Sequence, residues 1–232
     1  MSITLPFLSD WNVDFPDPNS ALVDPDGLLA AGGDLSIERL LAAYSMGIFP
    51  WYSEPDPILW WSPNPRSILN PADAHTSRSL IKAMKKQDFA VTWDKAFPEV
   101  IQACSEARAK ESGTWITPDM KHAYCELNAA GHAHSVEVWI DGELAGGLYG
   151  VNLGKAFFGE SMFSYQSNAS KIAFHYLCKQ LAKWQFPLLD CQVHSSHIAY
   201  LGAKEVPRSD FLAILRQAIS FPSPKEWVFD WQ

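Results

Sequence analysis

The sequence predicts an α+β protein whose helices pack against a mostly antiparallel sheet, preceded by a small N-terminal unit. Three observations predict it. Hydrophobic spacing changes from helical to alternating near Ser135. Three alternating runs follow one another, with Asp141-Gly142 and Asn152-Leu-Gly154 as hairpin signals between them. The prolines at 50, 55, 57, 63 and 65 exclude a long helix from the early chain.

Taken in order, the first part is a series of Pro, Asp and Gly breakers from Asn19 to Gly33. A helix follows, capped by Asp34 or Ser36, with Leu40, Leu41 and Tyr44 at core spacing and Gly47 as its stop. The proline-rich stretch to Arg66 completes a small domain, 1–66, and the rest, 67–232, forms the larger one. There, Ser77 to Lys86 reads as a helix with Leu80, Ile81 and Met84 inward. A second helix begins at Asp94, carrying Phe97, Ile101 and Cys104. A third starts at Thr117-Pro118 and ends near Gly131. The strands are Ser135 to Ile140, Leu144 to Val151 and Ala156 to Phe163. A helix capped by Asn168, a strand over Pro187 to Val193 and a helix capped by Ser209 close the chain.

At 232 residues with 47% hydrophobic and 19% charged, the chain can fill a sizeable core and is not disordered. No apolar run reaches a membrane span, and the start lacks a signal peptide's basic and apolar regions. Four scattered cysteines without a CxxC indicate free thiols and a cytoplasmic setting. A net charge of −8 argues against non-specific coating of nucleic acid but leaves room for a local basic face. Ten tryptophans fit either aromatic platforms for bases or the packing of a proline-rich unit. Neither GxxxxGK[ST] nor GxGxxG nor HExxH occurs, so nucleotide hydrolysis, dinucleotide redox and metal catalysis have no support.

The strand Pro187 to Val193 carries the most informative residues. Alternation puts Leu188, Asp190 and Gln192 on one face and Leu189, Cys191 and Val193 on the other. Two polar groups on an apolar strand are either a satisfied structural pair or part of a site. Glu160 shares a face with Phe158 and Met162, as an ion pair with a lysine or as a used carboxylate. Gly159 beside it leaves room for a ligand. Cys191, His194 and His197 lack a fourth ligand at metal spacing, and Cys191 reads as packing. Arg78, Lys82, Lys85 and Lys86 form one helical stripe, either a solvated face or a phosphate contact.

Eight segments together resemble the leucyl/phenylalanyl-tRNA–protein transferase family over nearly the whole chain. They are Gly27-Leu-Leu-Ala-Ala-Gly-Gly-Asp-Leu35, Gly47-Ile-Phe-Pro-Trp51, Trp60-Trp-Ser-Pro-Asn-Pro-Arg66, Gly113-Thr-Trp-Ile-Thr117, His132-Ala-His-Ser-Val-Glu-Val-Trp139, Phe158-Gly-Glu-Ser-Met-Phe-Ser164, Asn168-Ala-Ser-Lys171 and Asp190-Cys-Gln192. The resemblance implies a GNAT-like acyltransferase domain. It implies an enzyme that moves Leu, Phe or Met from aminoacyl-tRNA to the N-terminal Lys or Arg of a protein, marking it for N-end rule degradation. No cofactor, metal or membrane is implied, and the enzyme is expected to act as a monomer. Where acetyltransferases of this fold hold the coenzyme A pyrophosphate, Gln166 to Lys171 offers Ala169 and Lys171 in place of glycines, which fits another donor.

By the same resemblance Asp190 and Gln192 are the catalytic pair, Asp190 polarising Gln192 toward the attacking amine. Glu160 attracts the cationic acceptor. Trp51 and Trp115 flank the terminal adenine, Tyr124 contributes to substrate binding, and the donor side chain enters a pocket near Leu148, Phe174 and Leu177. The competing readings are an acetyl-CoA N-acyltransferase on the same fold and a non-catalytic tRNA or N-terminus adaptor.

Overall fold

Strands of two sheets and the helices between them share two apolar cores, one on each face of the larger sheet. The structure is a computed structural model, and it describes residues 5–111 and 114–230. Met1 to Thr4 and Gly113, used in the sequence reading, lie outside the described residues.

The smaller sheet is built from β1 (Phe7–Leu8), β2 (Leu28–Gly32), β3 (Phe49–Pro50) and β4 (Leu59–Trp61), in the order β1-β2-β4-β3. Between β2 and β3 runs α1 (Ile37–Ser45), capped by Ser36, whose hydroxyl accepts from the Arg39 amide. Its buried face carries Leu40 and Tyr44.

The larger sheet holds β5 (Arg66–Leu69), β6 (Ala90–Trp93), β7 (Ala133–Ile140), β8 (Glu143–Leu153), β9 (Ala156–Ser164), β10 (Leu188–Asp190) and β11 (Lys204–Val206). Their order is β11-β5-β10-β9-β8-β7-β6, antiparallel throughout except for the β9–β10 pair. The predicted meander is therefore present as β7, β8 and β9.

The remaining helices are α2 (Arg78–Met84), α3 (Phe97–Glu111), α4 (Pro118–Ala129), α5 (Ala169–Lys183), α6 (Ser196–Tyr200) and α7 (Arg208–Ile219). Helices α1, α3, α4 and α7 and the small sheet pack on one face of the large sheet, with Tyr44, Trp60, Phe97, Tyr124 and Phe158 in one core. Helix α5 covers the other face with Ile172, Phe174 and Leu177, and α2 leans on it. None of the described helices is long and apolar enough to cross a membrane.

Several expectations are corrected. Ile81 on α2 is exposed while Leu80 is buried. Asp94 does not begin helix α3. It stands at a positive φ, and its carboxylate accepts from the Ser135 amide at 2.7 Å and from His134 Nδ1 at 2.7 Å. Asn168 begins α5 from a left-handed conformation without a side-chain cap, and Ser164 Oγ accepts from the Ser170 amide instead. The last helix starts behind Pro207, two residues before a cap at Ser209 would place it. Strands β6 and β11 and helix α6 had no clear sequence signal, being short and, for β6 and β11, paired along only one edge.

Candidate active site

Asp190 ends β10, and the strand does not continue as alternation predicts. Asp190 pairs with Phe158 of β9, but beyond it the chain leaves β9 and follows β5. There the Cys191 amide donates to Ser67 O, and Gln192 O accepts from the Ser67 amide. Gln192 itself is at a φ of +57°, a conformation that turns its side chain away from strand register. Gln192 therefore faces the gap that opens between β9 and β10, while Cys191 packs on the α5 face with Leu189, as alternation places it, and borders the same cavity.

The other rim of the gap is shaped by a β-bulge. Gly150 pairs with Gly159 and Tyr149 with Ser161, so Glu160 is the extra residue of β9. The bulge brings Phe158 O so close to β8 that a Cβ on Gly150 would lie 2.2 Å from it. Glu160 stays on the face of Phe158, both reaching Tyr44 in the core, and the bulge carries Met162 to the α5 face instead. Gly159, Glu160, Ser161 and Met162 in succession then reach the cavity, which pure alternation forbids.

The result is a cavity of about 280 Å³ that passes through the sheet. On the face of α3 and α4 its walls are Phe49, Trp51, Arg108, Trp115 and Tyr149. On the face of α5 they are Leu148, Met162, Phe174, Leu177 and Cys191. Glu160 and Gln192 meet at the seam, where Gln192 Nε2 donates to Glu160 Oε1 at 3.1 Å. Trp51 and Trp115 stand edge to face, ring centres 6.2 Å apart, with the Arg108 guanidinium over the Trp115 ring.

Asp190 is fully buried and off the cavity wall. Arg66 Nε donates to its Oδ1 at 2.9 Å and Arg66 Nη2 to its Oδ2 at 2.7 Å. Its Oδ1 also accepts the backbone amide of Gln192 at 3.0 Å, which pins the left-handed turn. Asp190 therefore holds Gln192 through the main chain, not through the side-chain amide.

Glu160 has no lysine partner among the described residues. Tyr44 Oη donates to its Oε1 at 2.7 Å, and Tyr124 Oη, 3.4 Å from its Oε2, shares its one hydrogen between that oxygen and the Tyr44 hydroxyl. Burial pushes the Glu160 carboxyl up to about 7, against the Tyr44 hydrogen bond and with the nearby Asp190 charge. Tyr124 lies behind Glu160 in the core and is not part of the cavity wall. Burial drives the Cys191 thiol well above its ordinary range, so it stays protonated, and no group of metal-ligating side chains occurs among the described residues.

Of the residues read from sequence, Trp51, Trp115, Leu148, Glu160, Phe174, Leu177 and Gln192 converge on the cavity. Arg78 and Lys82 lie apart from it on α2, and Lys85 and Lys86 in the turn that follows, because the helix ends at Met84 and not at Lys86; all three lysines are exposed. Tyr44 and Arg66 were missed as site residues. Tyr44 reads as helix core, and nothing along the chain announces that Arg66 meets Asp190 124 positions later. Glu137, in the His132-to-Trp139 segment, is structural: it is buried and accepts from Ser135, Thr92 and the amides that precede α3.

Comparison with known proteins agrees with this layout. The family model described as leucyl/phenylalanyl-tRNA protein transferase matches residues 68–216, and that of its N-terminal domain matches residues 33–64. A leucyl/phenylalanyl-tRNA--protein transferase of Saccharophagus degradans is 52% identical over 98% of this chain and 94% of its own length. Relatives of the same name from Desulfatibacillum aliphaticivorans and Chromobacterium violaceum are 59% and 51% identical, over 90% and 94% of this chain and 89% and 94% of their own lengths. The chain belongs to the leucyl/phenylalanyl-tRNA protein transferase family.

Proposed function

We propose that this protein transfers Leu, Phe or Met from aminoacyl-tRNA to the N-terminal Lys or Arg of a protein, and that the cavity through the sheet is where transfer occurs. The observation that carries the reading is the division of that cavity. One side is aromatic and cationic, the other apolar, and the polar seam lies between them. An aminoacyl-adenosine end has the same three parts: a base, an ester and an apolar side chain. The adenine stacks against Trp51 and Trp115, at about 1–3 kcal/mol per stack. The side chain enters among Leu148, Met162, Phe174 and Leu177, which leaves the ester at Gln192 and Glu160.

The reaction is aminolysis. The neutral α-amine attacks the ester carbonyl, a peptide bond forms, and the ribose hydroxyl leaves with a proton in exchange for the one the amine loses. The ester is activated already, so positioning supplies most of the catalysis. Gln192 Oε1 accepts an N–H of the amine, and Asp190 fixes the turn that presents it. The charge of Glu160 favours the cationic acceptor. A donor carrying a pyrophosphate is disfavoured at the start of α5, where Ser164 Oγ already takes the Ser170 amide.

Residues 1–66 act as a small N-terminal unit that lends Tyr44 and Trp51 to the larger domain. The two family matches, ending at 64 and beginning at 68, support that division. The basic stripe of α2 contacts the tRNA backbone outside the cavity. Four free cysteines suit a monomer working in the cytoplasm.

The test is transfer of labelled Leu from leucyl-tRNA to a protein beginning with Arg, beside the same protein beginning with Gly. Labelling of the Arg protein alone is the expected result. Absence of transfer, with turnover of acetyl-CoA instead, contradicts the reading.

A further inference from the structure

Resting on the transfer reading above, the question left open is which group aims the Gln192 side chain. Asp190 does not, because its carboxylate is committed to Arg66 and to the Gln192 main chain. The group in contact is Glu160, which receives Tyr44 Oη and Gln192 Nε2, with Tyr124 Oη 3.4 Å away and also bonded to Tyr44. A carboxylate only accepts, whereas an amide has a donating end and an accepting end. As long as Glu160 is ionised, the amide must turn its nitrogen toward it and its oxygen elsewhere.

We propose that ionised Glu160 is the positioning residue that holds the Gln192 amide with Oε1 toward the attacking amine, and that protonating Glu160 turns the amide end for end. A protonated carboxyl carries an O–H that needs an acceptor, and Gln192 Oε1 competes for it with the Tyr44 and Tyr124 hydroxyls. The amide then offers N–H groups to the incoming amine. The amine has its own N–H to place and its lone pair directed at the ester carbon, so the pairing fails. No bond is made or broken in this step beyond the proton taken up by Glu160.

The charged and titratable groups facing Glu160 are Tyr44 from α1, Tyr124 from α4, Tyr149 from β8, Asp190 from β10 and Arg66 from β5. Burial, with the Asp190 charge, outweighs the tyrosine hydrogen bonds and Arg66 and raises the carboxyl to about 7. The turn of the amide therefore falls near neutral pH. Removing the Tyr44 hydroxyl takes away a hydrogen bond that favours the charged form, so the transition moves to higher pH.

The experiment follows the Gln192 side-chain amide signals of the full-length 15N-labelled protein between about pH 5.5 and about pH 8.5, with Gln192→Leu identifying them. It pairs them with kcat at saturating leucyl-tRNA and acceptor. In the wild type, signals and kcat should change together with a midpoint near 7. In Glu160→Gln neither should show that midpoint, and kcat should drop about tenfold above it with donor KM within about twofold. In Tyr44→Phe both midpoints should move up. Amide signals that do not titrate in the wild type, or that titrate equally in Glu160→Gln, overturn the proposal. A Tyr44→Phe midpoint that stays in place overturns it as well, should Glu160→Gln not fold. Failure of the wild type to transfer at all would instead count against the transfer reading, because the signals report on the amide without it.

Discussion

Arg66 and Asp190, 124 positions apart, form a two-pronged buried ion pair at 2.9 and 2.7 Å that fastens β5 to the end of β10. The Arg66 guanidinium also lies over the rings of Phe49 and Phe211, at 4.8 and 4.5 Å. One arginine therefore connects the small sheet, the large sheet and α7. The aspartate it holds is the one that sets the backbone of Gln192.

Removing one partner of such a pair strands the other charge in the core, at about 3–5 kcal/mol. Asp190→Ala should lose transfer and also unfold at lower denaturant. The double change Arg66→Met, Asp190→Leu leaves no stranded charge and should regain most of that stability without regaining transfer, since the Gln192 amide still lacks its acceptor. Urea midpoints beside turnover rates decide this. Recovered transfer in the double variant would show that Asp190 matters only as a partner for Arg66.

Glu160 gives the fold a pH signature of opposite sign to that of a usual carboxylate. Its folded value of about 7 lies above the ordinary 4.5, so between these values the folded state binds more protons than the unfolded state. This contribution is present at low pH and is lost as pH rises toward 7. Glu160→Gln should accordingly match the wild type near about pH 4.5 and be more stable near about pH 8. Thermal unfolding at both pH values checks it, and equal stability at the higher one would show that burial of the charge is relieved.

Gly159 is not a packing requirement. A Cβ there would meet Asp190 O at 3.6 Å and Leu189 Cδ1 at 3.8 Å, ordinary contacts, and would otherwise stand in the cavity. Gly159→Ala should keep the stability within about 0.5 kcal/mol. It should lower kcat/KM for the donor about tenfold or more by narrowing the passage through the sheet. Loss of stability without loss of transfer would reverse this assignment.

Lys82, Lys85 and Lys86 changed together to Ala should raise KM for aminoacyl-tRNA. The slope of log KM against log salt should weaken by about one per phosphate contact removed. KM for a short aminoacyl-adenosine donor should stay unchanged, because the stripe lies outside the cavity. An equal effect on both donors would return the stripe to a solvated helix face.

Much of this was legible in the sequence because it rests on local rules. The change of period gave the meander, Thr117-Pro118 and Ser77 gave helix starts, and the polar pair on an apolar strand marked the site. What was not legible depends on departures from those rules. Alternation put Gln192 on a strand face, whereas a left-handed residue after Asp190 aims it. Alternation also placed Met162 on the face of Phe158 and Glu160, whereas a bulge carries it to the α5 face. The part played by Arg66 is a contact over 124 positions, which periodicity cannot carry. Both local departures sit at the gap between β9 and β10, which is where function requires the sheet to stop being regular.

The claim that organises the rest is that the donor crosses the sheet. A crystal structure with phenylalanyl-adenosine joined by an amide in place of the ester tests it most directly. The account predicts the adenine against Trp51 and Trp115, the phenyl ring among Leu148, Met162, Phe174 and Leu177, and the amide carbonyl between Glu160 and Gln192. Adenine and phenyl ring on one face of the sheet, with the gap between β9 and β10 left empty, would contradict it.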